Sequence, residues 1–169
     1  MSPFIFFALQ FAIIAYALVG GVFLAFSDFI MRSLAHAGGV GGLDAMQVIN
    51  REVFRWVFMT LLIGMAPVSL AIAAYGGLVV GSGPGTLFAL AGLTYFVGCF
   101  GVTVFFNVPM NEALAGMDAT SAAARDYWMG TYLPRWTFWN TVRTISCALS
   151  AALLLFGLLW MTQNQTQLV

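Results

Sequence analysis

Four stretches of the chain stay apolar for the length a helix needs to cross a bilayer. They run from Phe4 to Ser27, from Trp56 to Val80, from Thr86 to Phe106, and from Val142 to Met161, the last approached through Trp136. A run of ~20 apolar residues spans hydrocarbon as a helix. The first stretch holds 24 residues without an ionisable side chain, which reach roughly 36 Å at about 1.5 Å per residue. It is too long for a signal peptide, and no Lys or Arg precedes it, so it reads as a retained span. The pattern predicts an all-α, membrane-embedded four-helix bundle forming one domain over residues 1–169. Its spans lie at about 4–27, 56–80, 86–106 and 136–161.

The connections are uneven. Gly81 to Gly85 makes a tight uncharged turn between the second and third spans. Between the first and second lies a glycine-rich hinge (Gly38, Gly39, Gly41, Gly42), followed by an amphipathic stretch from Leu43 to Phe54. Asn107 to Trp136 reads as one or two short interfacial helices, with a helix stop at Asp118 and a new N-cap in the Ala-Thr-Ser that follows. Pro67 is expected to kink the second span, and Pro109 to bend or end the third. Gly20 and Gly21, with Gly98 and Gly101, are small residues that let membrane helices pack closely.

Composition narrows the class. The chain is 62% hydrophobic and 7% charged, whereas a soluble domain is about 25% charged. Twelve charged residues cannot coat a water-exposed globule of this size, and no basic face exists for nucleic acid. The charges fall in two windows, 28–55 and 112–143. Four spans bring both windows to one side. All six arginines lie there, while the N-terminus, the 81–85 turn and the C-terminal tail carry no charged side chain. The positive-inside rule then places the windows and the interfacial helices in the cytoplasm and both termini outside. Any site with acid–base chemistry should open to the cytoplasmic leaflet.

Few residues can carry chemistry. Asp28 and Arg32 are one helical turn apart and can pair, either as an interfacial ion pair or at a cavity mouth. Asn107, Asn111 and Glu112 surround Pro109 and make either a polar pocket or a helix-ending cap. In YWMGTYLPRWTFWNTVRT, the residues Trp128, Tyr132, Trp136, Trp139 or Asn140, and Arg143 recur at helical spacing. An aromatic belt explains the rings, but Asn140 and Arg143 share their stripe. Arg143 lies just inside the fourth span, where an unpaired charge costs about 2.5–3.5 kcal/mol at mid-helix. It is expected to pair with Asp28 or Glu112. Cys99 and Cys147 have no CxxC spacing and read as small buried hydrophobes. A single histidine, His36, lowers the expectation of haem or copper without removing it. No metal site or cofactor is predicted.

The stretches GGVFLAFSDFIMRSL, AMQVINREVF, GVTVFFNVPMNEALAGMD and YWMGTYLPRWTFWNTVRT, in this order, resemble the anthrone-oxygenase-like family of small four-span membrane proteins, mostly bacterial. The resemblance covers about Gly20 to Arg143, and the FNVPMN and WxxWNxVR blocks are its specific parts. It implies a four-helix membrane bundle. Some relatives, notably fungal ones, oxidise anthrones to anthraquinones with molecular oxygen and are regarded as needing no added cofactor. The matching positions are Asn107, Pro109, Asn111, Trp136, Trp139, Asn140 and Arg143. Relatives often carry His after the WN pair, where this chain has Thr141.

Two functions follow. The first is a monooxygenase acting on a planar phenolic or quinone-like substrate from the bilayer. Asp28 or Glu112 would be the base, and Asn140 and Arg143 would stabilise the oxyanion. Asn107, Asn111, Trp128, Tyr132, Trp136 and Trp139 would contact the ring. The second is a non-enzymatic lipid- or quinone-binding protein, or an accessory subunit of a membrane complex or homo-oligomer. A carrier is disfavoured, since no inverted repeat is visible.

Overall fold

A computed structural model describes residues 1–55 and 57–166. Trp56, the expected start of the second span, lies outside the described residues, as do residues 167–169. The described residues form four long apolar helices and one short amphipathic one. These are α1 (Pro3–His36), α2 (Gly41–Glu52), α3 (Val57–Val80), α4 (Gly83–Ala115) and α5 (Ala122–Gln163). Only about a third of each apolar window is buried inside the protein. The remaining faces present Phe4, Phe7, Phe11, Leu78, Phe105 and Phe156 outward. Apolar surface this continuous belongs against lipid. The chain is a multi-pass membrane protein built as a four-helix bundle.

The helices outrun the apolar stretches. Hydrogen bonding continues past the first charged residue, so α1 extends to His36 and α4 to Ala115, and α5 begins at Ala122. The separate interfacial helices expected within 107–136 are therefore the ends of α4 and α5, joined by 116–121. That loop is pinned locally. Asp118 Oδ1 accepts from the Thr120 N–H at 2.9 Å and the Thr120 hydroxyl at 2.8 Å, which holds its carboxyl below the usual range. Ser121 then caps α5 by accepting from the Ala124 N–H at 3.1 Å. Pro109 does not end α4. A wide π turn at Thr103–Asn107 directly precedes it, and the helix resumes from Val108 to Ala115. α3 likewise runs through Pro67 uninterrupted to Tyr75. The α3–α4 turn is shorter than expected, because Pro84 fits the first turn of α4. Gly81 supplies the positive φ of 59° that this reversal needs.

Each long helix packs on two neighbours, in the closed order α1–α5–α4–α3. Tyr16 and Tyr95 stack across the diagonal at 4.7 Å and 28°. Their hydroxyls are satisfied, Tyr16 by Ser69 at 2.7 Å and Tyr95 by donation to the Leu62 carbonyl at 3.1 Å. Small residues permit the close approaches. A methyl group at Gly92 would fall on the Ser69 carbonyl, and one at Gly76 on the Gly85 carbonyl. Gly20 and Gly98 play this part against Cys147 and Ser146. Gly21 does not: nothing lies within 4 Å of where its Cβ would be, so its expected packing role is not found.

This packing makes a prediction. Gly92→Val should destabilise the detergent-solubilised protein by about 1–3 kcal/mol through overpacking. Gly64→Ala, at a position with open space around it, should leave thermal unfolding unchanged or slightly improved.

Candidate functional site

On α5, Trp136, Asn140 and Arg143 follow one another at helical spacing, so they project to one side. That side faces the interior at the end of the bundle carrying the charged loops. Arg143 is buried, with 4% of its surface exposed. Its Nη2 donates to Asn140 Oδ1 at 2.7 Å and its Nη1 to Thr103 Oγ1 at 3.3 Å. Thr103 spends its own proton on the Cys99 carbonyl at 2.8 Å, which turns a lone pair toward the guanidinium. The guanidinium carbon lies 4.0 Å from the Phe23 ring centroid and 5.2 Å from that of Trp136, within cation–π range. Asn140 is fully used as well. Its Nδ2 donates to the Phe23 carbonyl at 2.6 Å and to Ser27 Oγ at 2.7 Å.

The expected carboxylate partner of Arg143 is not there. Asp28 is exposed, 4.0 Å from Arg32, in a shallow groove with His36. Glu112 is exposed and lines a different groove with Asn50, Phe54 and Asn111. Among the described residues Arg143 makes no ion pair; its partners are a carboxamide, a hydroxyl and two rings. Sequence depth suggested a match, but Asp28 and Glu112 lie on outward faces of α1 and α4.

A second polar cluster sits beside the first. Asn111 Oδ1 accepts from the Tyr132 hydroxyl and from Trp136 Nε1, each at 2.8 Å. Asn50 Nδ2 donates to the Tyr132 oxygen at 3.2 Å. Trp128, Tyr132 and Trp136 form a stacked ladder, with centroids 5.3 and 6.0 Å apart and rings within 24° of parallel. Asn107 is fully buried and donates to the Trp136 carbonyl at 3.3 Å. Two deeply buried polar atoms here have no partner among the described residues, Asn107 Oδ1 and Arg143 Nε.

Between these clusters lies a cavity of about 80 Å³. Its apolar wall includes Phe23, Met46, Ile49, Phe54, Phe58, Met59 and Leu62, and its polar end is Asn50, Thr103, Asn111, Trp136 and Arg143. Of the expected ring contacts, Asn111 and Trp136 line it. Trp128 and Tyr132 belong to the buried cluster beneath it. Trp139 leaves the stripe and stacks on Phe106 at 3.7 Å, so of the pair Trp139 or Asn140 it is Asn140 that continues inward. Thr141 faces a groove beside Ser27, Met31 and Phe138, away from the cavity.

Sequence reasoning missed Phe23, Ser27, Gln47, Asn50 and Thr103. A signal for two of them existed. Leu43, Met46, Gln47 and Asn50 make the inward stripe of α2, so two amides sit on an otherwise apolar face. Gln47 uses its amide to tie α2 to the Leu114 and Met117 carbonyls, at 2.8 and 2.9 Å. Ser27, Thr103, Asn107 and Tyr132 all fall in π turns, at 26–30, 103–107 and 128–132. Such turns are frequent at functional sites, and nothing in the residue pattern announces them.

Removing Asn140 should strand the guanidinium. Asn140→Leu is expected to destabilise the protein by about 3 kcal/mol, the scale of breaking a buried polar pair from one side. The double variant with Arg143→Met should recover part of that loss in unfolding measurements, because the two effects are coupled.

No curated protein and no solved structure matches the chain. A family model described as anthrone oxygenase matches residues 51–153, over half of the 169 residues. The matched region holds α3, α4 and the inward stripe of α5, and leaves α1 and nearly all of α2 outside. With the Asn107–Asn111 and Trp136–Arg143 blocks inside the match and gathered at one end of a four-span bundle, the chain belongs to the anthrone oxygenase family.

Proposed function

We propose that this protein oxidises a planar, hydrophobic phenolic or quinone-like substrate with molecular oxygen, taken from the bilayer into the cavity beside Arg143. The observation carrying this reading is a buried guanidinium, without a carboxylate partner, at the polar end of an aromatic-walled apolar cavity. A ring CH₂ flanked by carbonyl-conjugated rings loses a proton to give an enolate. The enolate adds oxygen, and the resulting hydroperoxide loses water to leave a second carbonyl. One oxygen atom enters the product and the other leaves in water, so the balance needs no further reductant. Arg143 would hold the enolate oxygen, with Asn140 as the positioning residue that fixes the guanidinium. Glu112 is the better-placed proton acceptor, since its groove shares Asn50, Phe54, Val108 and Asn111 with the cavity. Asp28 opens to a separate groove. The reaction is taken to need no added cofactor, as family resemblance implies.

An apolar cavity of about 150 Å³ takes up benzene, so a three-ring substrate requires this one to widen. Met46 and Met59 on its border are unbranched and adaptable. The described lining residues include neither a carboxylate nor a histidine, an arrangement that a binding-only role for lipid or quinone would share. Turnover separates the two. Purified protein should consume oxygen with an anthrone, and Arg143→Met should lower the rate at least about 100-fold while eluting as the parent does in gel filtration. Full activity in that variant would remove Arg143 from the mechanism.

We also propose an inner-membrane setting with the charged end in the cytoplasm. All charged side chains gather at that end of the bundle, Arg143 buried inside it and the others on the loops and helices around it. Single cysteines at Ser2 and Ala119 test it: in intact cells a membrane-impermeant thiol reagent should label position 2 and spare position 119.

A further inference from the structure

We propose that the cavity is a receptor for the ionised form of its ligand: it takes the anion of an acidic planar phenol or hydroxyquinone in preference to the neutral molecule, with the charged oxygen set against the Arg143 guanidinium. This rests on reading the cavity as a site for planar ligands and adds which charge state it selects. Three observations carry it. Arg143 is buried at 4% exposure, and the partners of Nη1 and Nη2 are uncharged, Thr103 and Asn140. Its Nε is fully buried and has no acceptor among the described residues. The residue lines the cavity, and no acidic side chain is among the described residues around it.

A guanidinium keeps its proton in proteins and presents five N–H donors. Burying that charge is costly unless a counter-charge and hydrogen bonds compensate it. The described residues around it supply hydrogen bonds and ring faces but no negative charge. A ligand oxygen bearing that charge would neutralise the guanidinium. An uncharged carbonyl would not. The walls decide which anions fit: Phe23, Phe58, Leu62 and Trp136 suit a flat organic ring, whereas a small inorganic anion would leave the apolar part of the cavity empty. Ionisation of the ligand is then favoured by the site itself, and Glu112 outside the cavity needs only to pass the proton to water.

The test uses the detergent-purified full chain and two probes of nearly the same shape. One is a hydroxynaphthoquinone ionised at neutral pH, the other its uncharged methyl ether. Calorimetric titration should show the anion binding at least about tenfold tighter than the ether, the scale of a hydrogen bond between charged groups. Arg143→Met should bring the anion down to the affinity of the ether and leave the ether itself little changed. Equal affinity of both probes for the parent protein, or a preference that survives Arg143→Met, would overturn the inference while leaving the planar-ligand reading in place. Binding of neither probe would overturn both. If the Met variant does not fold, the comparison of probes on the parent protein decides alone. Arg143→Lys, which keeps the charge without the fork that Thr103 and Asn140 hold, should then keep only part of the preference.

Discussion

The bundle closes around one buried cation. Arg143 has to be satisfied inside an apolar assembly, and the residues that satisfy it belong to three long helices. Thr103 comes from α4, Asn140 from α5, and the Phe23 ring from α1. Asn140 extends the tie by bonding the Phe23 carbonyl and Ser27 of α1. Membrane helices gain little from burying apolar surface against one another, because lipid is equally apolar, so packing and interhelical hydrogen bonds fix the arrangement. The knot around Arg143 is such a set of bonds, and it sets the spacing at the end of the bundle where the cavity lies.

The rest of that end is built to close over it. α2 carries no span of its own. It lays Leu43 and Met46 on the cluster formed by Leu114, Trp128, Tyr132 and Trp136, and ties itself down through Gln47 and Asn50. The aromatic ladder beneath supplies stiffness, since stacked rings have few alternative rotamers that keep their contacts. The polar heads of that ladder converge on the single oxygen of Asn111. Asn111 thus holds two of the three rings in register and also borders the cavity. The far half of the bundle is different in kind, held by Tyr16, Tyr95 and closely approaching glycines, with no charged side chain. One half is scaffold, and the other carries the polar chemistry.

Much of this was legible in the residues. The four spans and the gathering of charge at one end follow from where the twelve charged side chains fall. The stripe Trp128, Tyr132, Trp136, Trp139 or Asn140, and Arg143 was readable from helical spacing, and the structure decides its open position for Asn140. The partner of Arg143 was not readable. Depth along a span can be counted from sequence, but rotation about the helix axis depends on which neighbour each face meets. Asp28 and Glu112 have suitable depth and the wrong rotation. The ends of α4 and α5 were misjudged for a related reason: helix hydrogen bonding does not stop where an apolar run stops.

The sequence by itself determined the class of molecule, the number of crossings, the polar end and the residue types available for chemistry. These depend on composition and periodicity, which the solvent reads along the chain without knowing the fold. Only the tertiary structure decided that Asn50 and Thr103 join Arg143 at the cavity, that Asp28 does not, and that Arg143 Nε and Asn107 Oδ1 are left without partners among the described residues. Those outcomes turn on side chains from separate helices meeting within about 3 Å. That distance is set by helix rotation and by π turns at 26–30, 103–107 and 128–132, neither of which a one-dimensional pattern encodes.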